Sequence, residues 1–189
     1  MRIIAKYLPA IRSISVLLLL MNNLALPAQT PPSREYQLKA AFLFNFAQFV
    51  EWPKGSFSTD SESFVIGISG ENPFQSFLEE LVAGEKVNGH PVTVRYYKPM
   101  EEIKNCHILF INQKEIKTGE QVSESLKNKN ILTVSDASNF LGNGGMIRLF
   151  TKDNKIKIQI NTEASKAANL VISSKLLRLA EIYNPNENK

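Results

Sequence analysis

The residues able to do chemistry are few and badly spaced for it. His90 and His107 are the only histidines and Cys106 is the only cysteine. Their separations match no metal-ligand motif, so no metal site is expected. Gly67-Ile68-Ser69-Gly70 lacks the second spacer residue of a nucleophile elbow. It also lacks the third glycine and the lysine–hydroxyl pair of a phosphate loop, and a plain strand-to-helix turn explains it. Glu79-Glu80 and Glu101-Glu102 are adjacent pairs, and neighbours on a helix point apart. We therefore expect no catalytic residues, no cofactor-binding residues and no enzyme activity. Carboxylates from distant segments that converge in space would reopen the question of a hydrolase.

Four residues near the start of the chain stand out on other grounds. On a helical wheel, Leu38, Ala41, Phe42, Phe46, Phe49 and Val50 form a broad apolar arc. Lys39 and Asn45 fall inside it. Each is either a polar anchor for a ligand or partner, or a plain structural residue. The structural reading is preferred: a lysine that snorkels past the rim and an asparagine bonded to nearby backbone. Phe44 lies among Gln37, Gln48 and Glu51 and is a candidate partner-binding anchor, or else meets a loop of its own domain. Trp52 either stacks on a ligand or closes the end of a core, and the second reading leads. Gly142, Gly144 and Gly145 make a mobile contact loop or a tight bend.

These residues follow an N-terminus of distinct character. Arg2, Lys6 and Arg12 are the only charges in the first 28 residues, and the run from Ile14 to Met21 is apolar. Leu26-Pro27-Ala28 then ends on a small residue. This is the pattern of a secretory signal peptide with cleavage after Ala28. The apolar run is too short to span ~30 Å of hydrocarbon, so no stable membrane insertion is expected after cleavage. Of the 22 basic residues, removing these three leaves 19 against 18 acidic ones. The formal charge falls from +4 to +1. The remaining basic residues are scattered, which argues against nucleic acid. A single cysteine permits no internal disulfide, and Cys106 opens the apolar run Ile108–Ile111 as a small core hydrophobe. A bridge between chains stays open.

The elements that must carry these residues alternate. Short polar stretches at 29–33 and 184–189 are expected to be disordered. Between them, residues 34–183 form one domain. A helix is expected from Arg34 to Trp52, stopped by Pro53 and Gly55. Strands follow at 64–68, 92–97, 107–111 and 131–134, with helices from Asn72-Pro73 to Val82 and from Glu120 to Leu126. Residues 146–150 and 155–160 read as a hairpin across Asp153-Asn154, with Ile156, Ile158 and Ile160 facing inward and Lys155, Lys157 and Gln159 wet. The C-terminal region divides into two helices. One is capped at Asn161 or Thr162 and runs to Asn169. The other is capped at Ser173 and runs to Tyr183, with Leu176, Leu179, Ala180 and Tyr183 on one face. The expected fold class is α/β, a single domain with a mixed central β-sheet of about six strands and helices on both faces.

Several stretches in this order resemble the YfiR family. They are Lys39-Ala40-Ala41-Phe42-Leu43-Phe44-Asn45-Phe46 through Trp52-Pro53, Ile66-Gly67-Ile68-Ser69-Gly70 with Asn72-Pro73-Phe74, and Cys106-His107-Ile108-Leu109-Phe110-Ile111. Gly144-Gly145-Met146-Ile147, Ile160-Asn161 and Ile172-Ser173-Ser174-Lys175-Leu176-Leu177 complete them, and the resemblance runs from about Glu35 to Tyr183. It implies a periplasmic regulator that binds the periplasmic sensor domain of an inner-membrane diguanylate cyclase and holds the enzyme off, lowering cyclic di-GMP and opposing biofilm. It also implies a homodimer. Several members of that family contain paired cysteines that couple the repressor to periplasmic redox state. Here Cys106 has no partner in the chain, so control by an internal disulfide is not expected. The alternative function is a periplasmic solute-binding sensor module for another membrane receptor or kinase.

Overall fold

The computed structural model describes residues 32–184, apart from 58, 60, 99–102, 116–123, 125, 127 and 128. The expected signal peptide, most of the two disordered stretches and the helix expected at 120–126, save Glu124 and Leu126, lie outside the described residues. Pro32 is buried, and the Ser33 hydroxyl accepts from the Tyr36 N–H to cap the first helix, α1, Arg34–Asn45. A 3-10 turn, Phe46–Gln48, leads into β1, Val50–Glu51. The helix therefore stops at Asn45 and not at Trp52. The run Phe49-Val50-Glu51 is rich in residues that favour strands, and it pairs antiparallel with β9, Val171–Ile172.

Among the described residues the main sheet has eight strands, more than the six or so expected. Its members are β2 (Phe64–Ser69), β3 (Lys86–Val87), β4 (His90–Tyr97), β5 (Ile108–Ile111), β6 (Leu132–Ser135), β7 (Ile147–Lys152), β8 (Lys155–Ile160) and β10 (Glu181–Ile182). They lie in the order β10-β8-β7-β6-β5-β2-β4-β3. Strands β4, β2, β5, β6 and β7 are mutually parallel, while β8 runs antiparallel to β7 and parallel to β10. The extra members, β3 and β10, are two-residue strands at the two edges, too short for any period to mark them. Asp153 and Asn154, at φ 51° and 60°, make the tight turn of the β7–β8 hairpin.

Alternation along the strands separates two cores. Phe64, Ile66, Ile68, Ile108, Phe110, Leu132, Val134, Ile147, Leu149, Ile158 and Ile160 face one cluster, while Val65, Leu109 and Ile111 face the other. Helix α1, α2 (Phe77–Val82), α3 (Thr162–Ala167) and α4 (Ser174–Leu177) all pack into the first cluster, through Ala40, Leu43, Leu78, Val82, Ala164 and Leu176. Among the described residues the second face is covered by Ile103, Leu126, Ile131 and the turns at 137–141. Asn161 caps α3, its side chain accepting from the Ala164 N–H at 3.0 Å. Helix α4 ends at Leu177, well short of Tyr183: Leu179 is 74% exposed and Glu181–Ile182 pair with Gln159–Ile160. Helix α2 begins at Phe77, later than expected, because the Asn72 side chain accepts from the Phe74 N–H at 2.9 Å and holds a turn.

Candidate functional site

The parallel strands have two ends, and each end gathers polar groups. The carboxyl end carries charge. The buried stripe of α1 runs Lys39, Ala40, Leu43 and continues as Phe46, Ala47 and Val50. The helix is therefore rotated from the expected arc, and Leu38 is 46% exposed while Lys39 is 3% exposed. Lys39 does not snorkel. Its ammonium lies 2.8 Å from Asp136 Oδ2, just beyond β6, and 2.8 Å from Glu35 Oε1 one turn earlier. The Tyr36 hydroxyl donates to the same Asp136 oxygen at 2.9 Å, and Thr151 Oγ1 donates to Glu35 at 2.9 Å.

The network explains its own acid–base behaviour. Hydrogen bonding to Lys39 holds the Glu35 carboxyl below its ordinary range. Burial, then the Asp136 charge, pushes the Tyr36 phenol up. The cluster is a structural tie between α1 and the ends of β6 and β7. Nearby, β2 and β5 lie side by side although β4 falls between them in the chain. Ligands of open α/β sheets bind at the carboxyl end of such a reversal. Here Asn112, after β5, donates to the Glu71 carbonyl at 2.9 Å, and Lys114 pairs with the Glu71 carboxylate.

The amino end is aromatic. His107 precedes β5 and His90 opens β4; both strands flank β2, so the two rings lie at the same end of the sheet. Phe57 is stacked between them, 3.8 Å from the His90 ring centroid and 4.4 Å from that of His107. Phe64 also stacks on His107 at 4.8 Å, and Trp52 meets both Phe64 and His107 edge-on. His107 Nδ1 accepts from the Val65 N–H at 3.1 Å, which leaves the proton on Nε2 to donate to the Ser56 carbonyl at 3.3 Å. Burial lowers its pKa from the ordinary 6.5. A cavity of about 380 Å³ adjoins, lined by Gly55, Ser56, Ile103, Lys104, Asn105, Cys106, His107, Lys129, Asn130 and Ile131.

The expected candidates divide between these ends. Lys39 is central to the ionic tie. Trp52 is half-buried in the aromatic stack, beyond β1 and not at a helix end. Phe44 is half-buried and packs against the first core. Asn45, expected to be buried, is exposed at the end of α1. Cys106 is buried and free, and burial pushes its thiol up to about 12, so it packs as a hydrophobe. Gly67 is a strand residue whose added β-carbon would lie 2.7 Å from Cys106 Sγ and 2.8 Å from the Tyr97 ring. Close packing, and not an anion loop, requires glycine there. Gly145 lies under the Phe140 ring, so the 142–145 glycines make a tight bend. Sequence reasoning missed Asp136, Tyr36 and Phe57, and treated the histidines only as absent metal ligands. The position of each histidine at the start of a strand was the available signal.

The described residues thus define a mixed α/β domain with an ionic tie at one end of its parallel strands and an aromatic–histidine stack at the other. A family model described as DUF4154, YfiR/HmsC-like, matches residues 36–181, from α1 to β10. The chain belongs to the YfiR/HmsC-like family. No curated protein matches it.

Proposed function

We propose that this chain is a periplasmic regulator that binds the periplasmic domain of an inner-membrane diguanylate cyclase and represses it. The family match over residues 36–181 carries this reading. The N-terminal pattern of Arg2, Lys6, Arg12 and the apolar run to Met21 supports export, and no helix of the described residues is long and apolar enough to cross a membrane. The mechanism is stoichiometric: the regulator biases its partner only by binding the inactive arrangement more tightly than the active one. Homodimerisation, which the family resemblance implies, belongs to the same proposal, with Phe44 as the anchor for a partner. The test is capture from intact cells. An exported, tagged chain, cross-linked and purified, is expected to bring down a membrane protein that carries a cyclase domain. Recovery of no cyclase-bearing protein, with the exported chain abundant, contradicts the reading.

One observation favours a second reading, a solute-binding sensor module. The cavity at the amino end presents Lys104 and Lys129 with Asn105 and Asn130, and no carboxylate is among its lining residues. That composition suits a small anion. Calorimetric titration with small carboxylates separates the readings, since a pure protein-binding regulator gives no heat.

A further inference from the structure

The chain's two histidines face each other across one ring. Phe57 is nearly parallel to both, at 9° to His90 and 19° to His107. The segment that carries it is held by side-chain and turn contacts. Ser56 donates its N–H to the Pro53 carbonyl at 3.2 Å, and its own carbonyl takes the His107 Nε2 proton. On the far side, His90 Nδ1 meets the Glu62 carbonyl at 2.7 Å.

We propose that His107 is a proton-released latch: its neutral ring clamps the Ser56–Phe57 segment against the amino end of the sheet, and uptake of a proton at Nδ1 lets that segment go. The geometry leaves little choice. Nδ1 is the acceptor for the Val65 N–H, so a proton there sets one donor against another. A buried N–H loses its partner, and a charge appears on a ring that is 2% exposed. The ring must then rotate or leave, and either motion breaks the Ser56 bond and the stack on Phe57. The backbone need not follow. The His107 N–H donates to the Val65 carbonyl at 2.9 Å and the Leu132 N–H to the His107 carbonyl at 2.8 Å, and neither bond uses the side chain.

Burial is what chiefly opposes a second proton on His107. Glu62 favours the His107 cation, while His90 disfavours it from across Phe57. Lys104 and Lys129 share the cavity wall with His107. Lys54 is exposed on the clamped segment, and the Cys106 thiol beside the ring is neutral. The latch is closed at neutral pH and opens on the acid side of the ordinary histidine value. Gly55 and Ser56 form one wall of the cavity, so release widens it toward Trp52 and Phe64. The inference stands apart from the proposed partner, since it concerns only how the fold responds to acid.

The experiment follows the ring nitrogens of both histidines by NMR on the purified exported protein, from about pH 8 to about pH 4.5. Hydrogen exchange is measured alongside and corrected for its intrinsic pH dependence. His107 is expected to carry its proton on Nε2 at neutral pH and to gain one at Nδ1 on acidification. Over that same interval the Ser56 amide should lose protection by about tenfold per pH unit, as one linked proton requires. Amides of β5 and β6 should stay protected. His107→Asn keeps an acceptor for Val65 and cannot titrate, so it should abolish the loss; His90→Gln should retain it. Protonation of His107 with Ser56 still protected overturns the latch. So does loss of protection that persists in His107→Asn, or that begins only when the β5 and β6 amides open too. If His107→Asn does not fold, the wild-type comparison of ring and amide decides.

Discussion

The two ends of the parallel strands solve the same problem, fixing a segment outside the sheet, by opposite chemistry. At the carboxyl end, α1 is tied to β6 and β7 by a buried ammonium between two carboxylates, with Tyr36 and Thr151 donating to the same two oxygens. At the amino end, the 53–57 segment is held by stacked rings and by one neutral imidazole that both accepts and donates. The difference is one of pH range. In the ionic tie, Lys39 holds the Glu35 carboxyl below its ordinary range, away from neutrality. The aromatic clamp depends on a group whose ordinary value of 6.5 lies close to neutrality. One end is built to hold, the other to respond.

Removing the cation tests the first half of that contrast and should have the largest effect. Lys39→Met leaves the nearly buried Asp136 carboxylate without its counter-charge, and urea unfolding should show a loss of about 3–5 kcal/mol. Adding Asp136→Asn should restore part of it. A near-neutral single variant would mean that Tyr36 alone satisfies Asp136 and that the carboxyl end is no ionic tie.

Phe57→Ala attacks the other end. Phe57 is half-buried, so the loss should be about 2 kcal/mol, below the range for a fully buried ring, and thermal unfolding measures it. Its sharper signature is a change in Trp52 emission, because Trp52 is the only tryptophan and abuts the same cluster.

Acid should separate the two ends without any mutation. His107 binds its proton more weakly folded than unfolded. Between pH 6.5 and its lower folded value, the unfolded state therefore holds the extra proton, and stability falls as pH falls. The slope is at most about 1.4 kcal/mol per pH unit. Equal stability across that interval, measured by denaturant titration at each pH, would remove the contrast.

Thr151→Val marks the lower limit. Its hydroxyl bonds to Glu35 at an exposed position, and the loss should be within about 0.5 kcal/mol. A larger value would make the Thr151 bond a main strut of the tie and not a minor one.

The sequence carried the strands better than the contacts. β5 and all but the last residue of β2 are continuous apolar runs, as expected of strands buried on both faces, and Asp153-Asn154 announced the hairpin. The first helix was legible in its existence but not in its rotation. A wheel ranks side chains by hydropathy and puts Leu38 inward. The structure turns Lys39 inward because Asp136, 97 residues away, supplies its counter-charge. The helix ends failed for a related reason. Val50–Glu51 and Glu181–Ile182 become strands only because Ile172 and Gln159–Ile160 are there to pair with them. The histidine stack had a partial trace. In parallel strands on either side of β2, residues at the starts of β4 and β5 share an end, and the register brings His107 beside Val65. Phe57 between them had none.

The proposed regulator is tested most directly by intracellular cyclic di-GMP in the source organism with this gene deleted. Complementation would use either the full chain or a version starting at Gln29, which lacks the export pattern. The account predicts a rise on deletion that only the exported form reverses. An unchanged level with the protein expressed, or reversal by the unexported form, would contradict periplasmic repression of a cyclase.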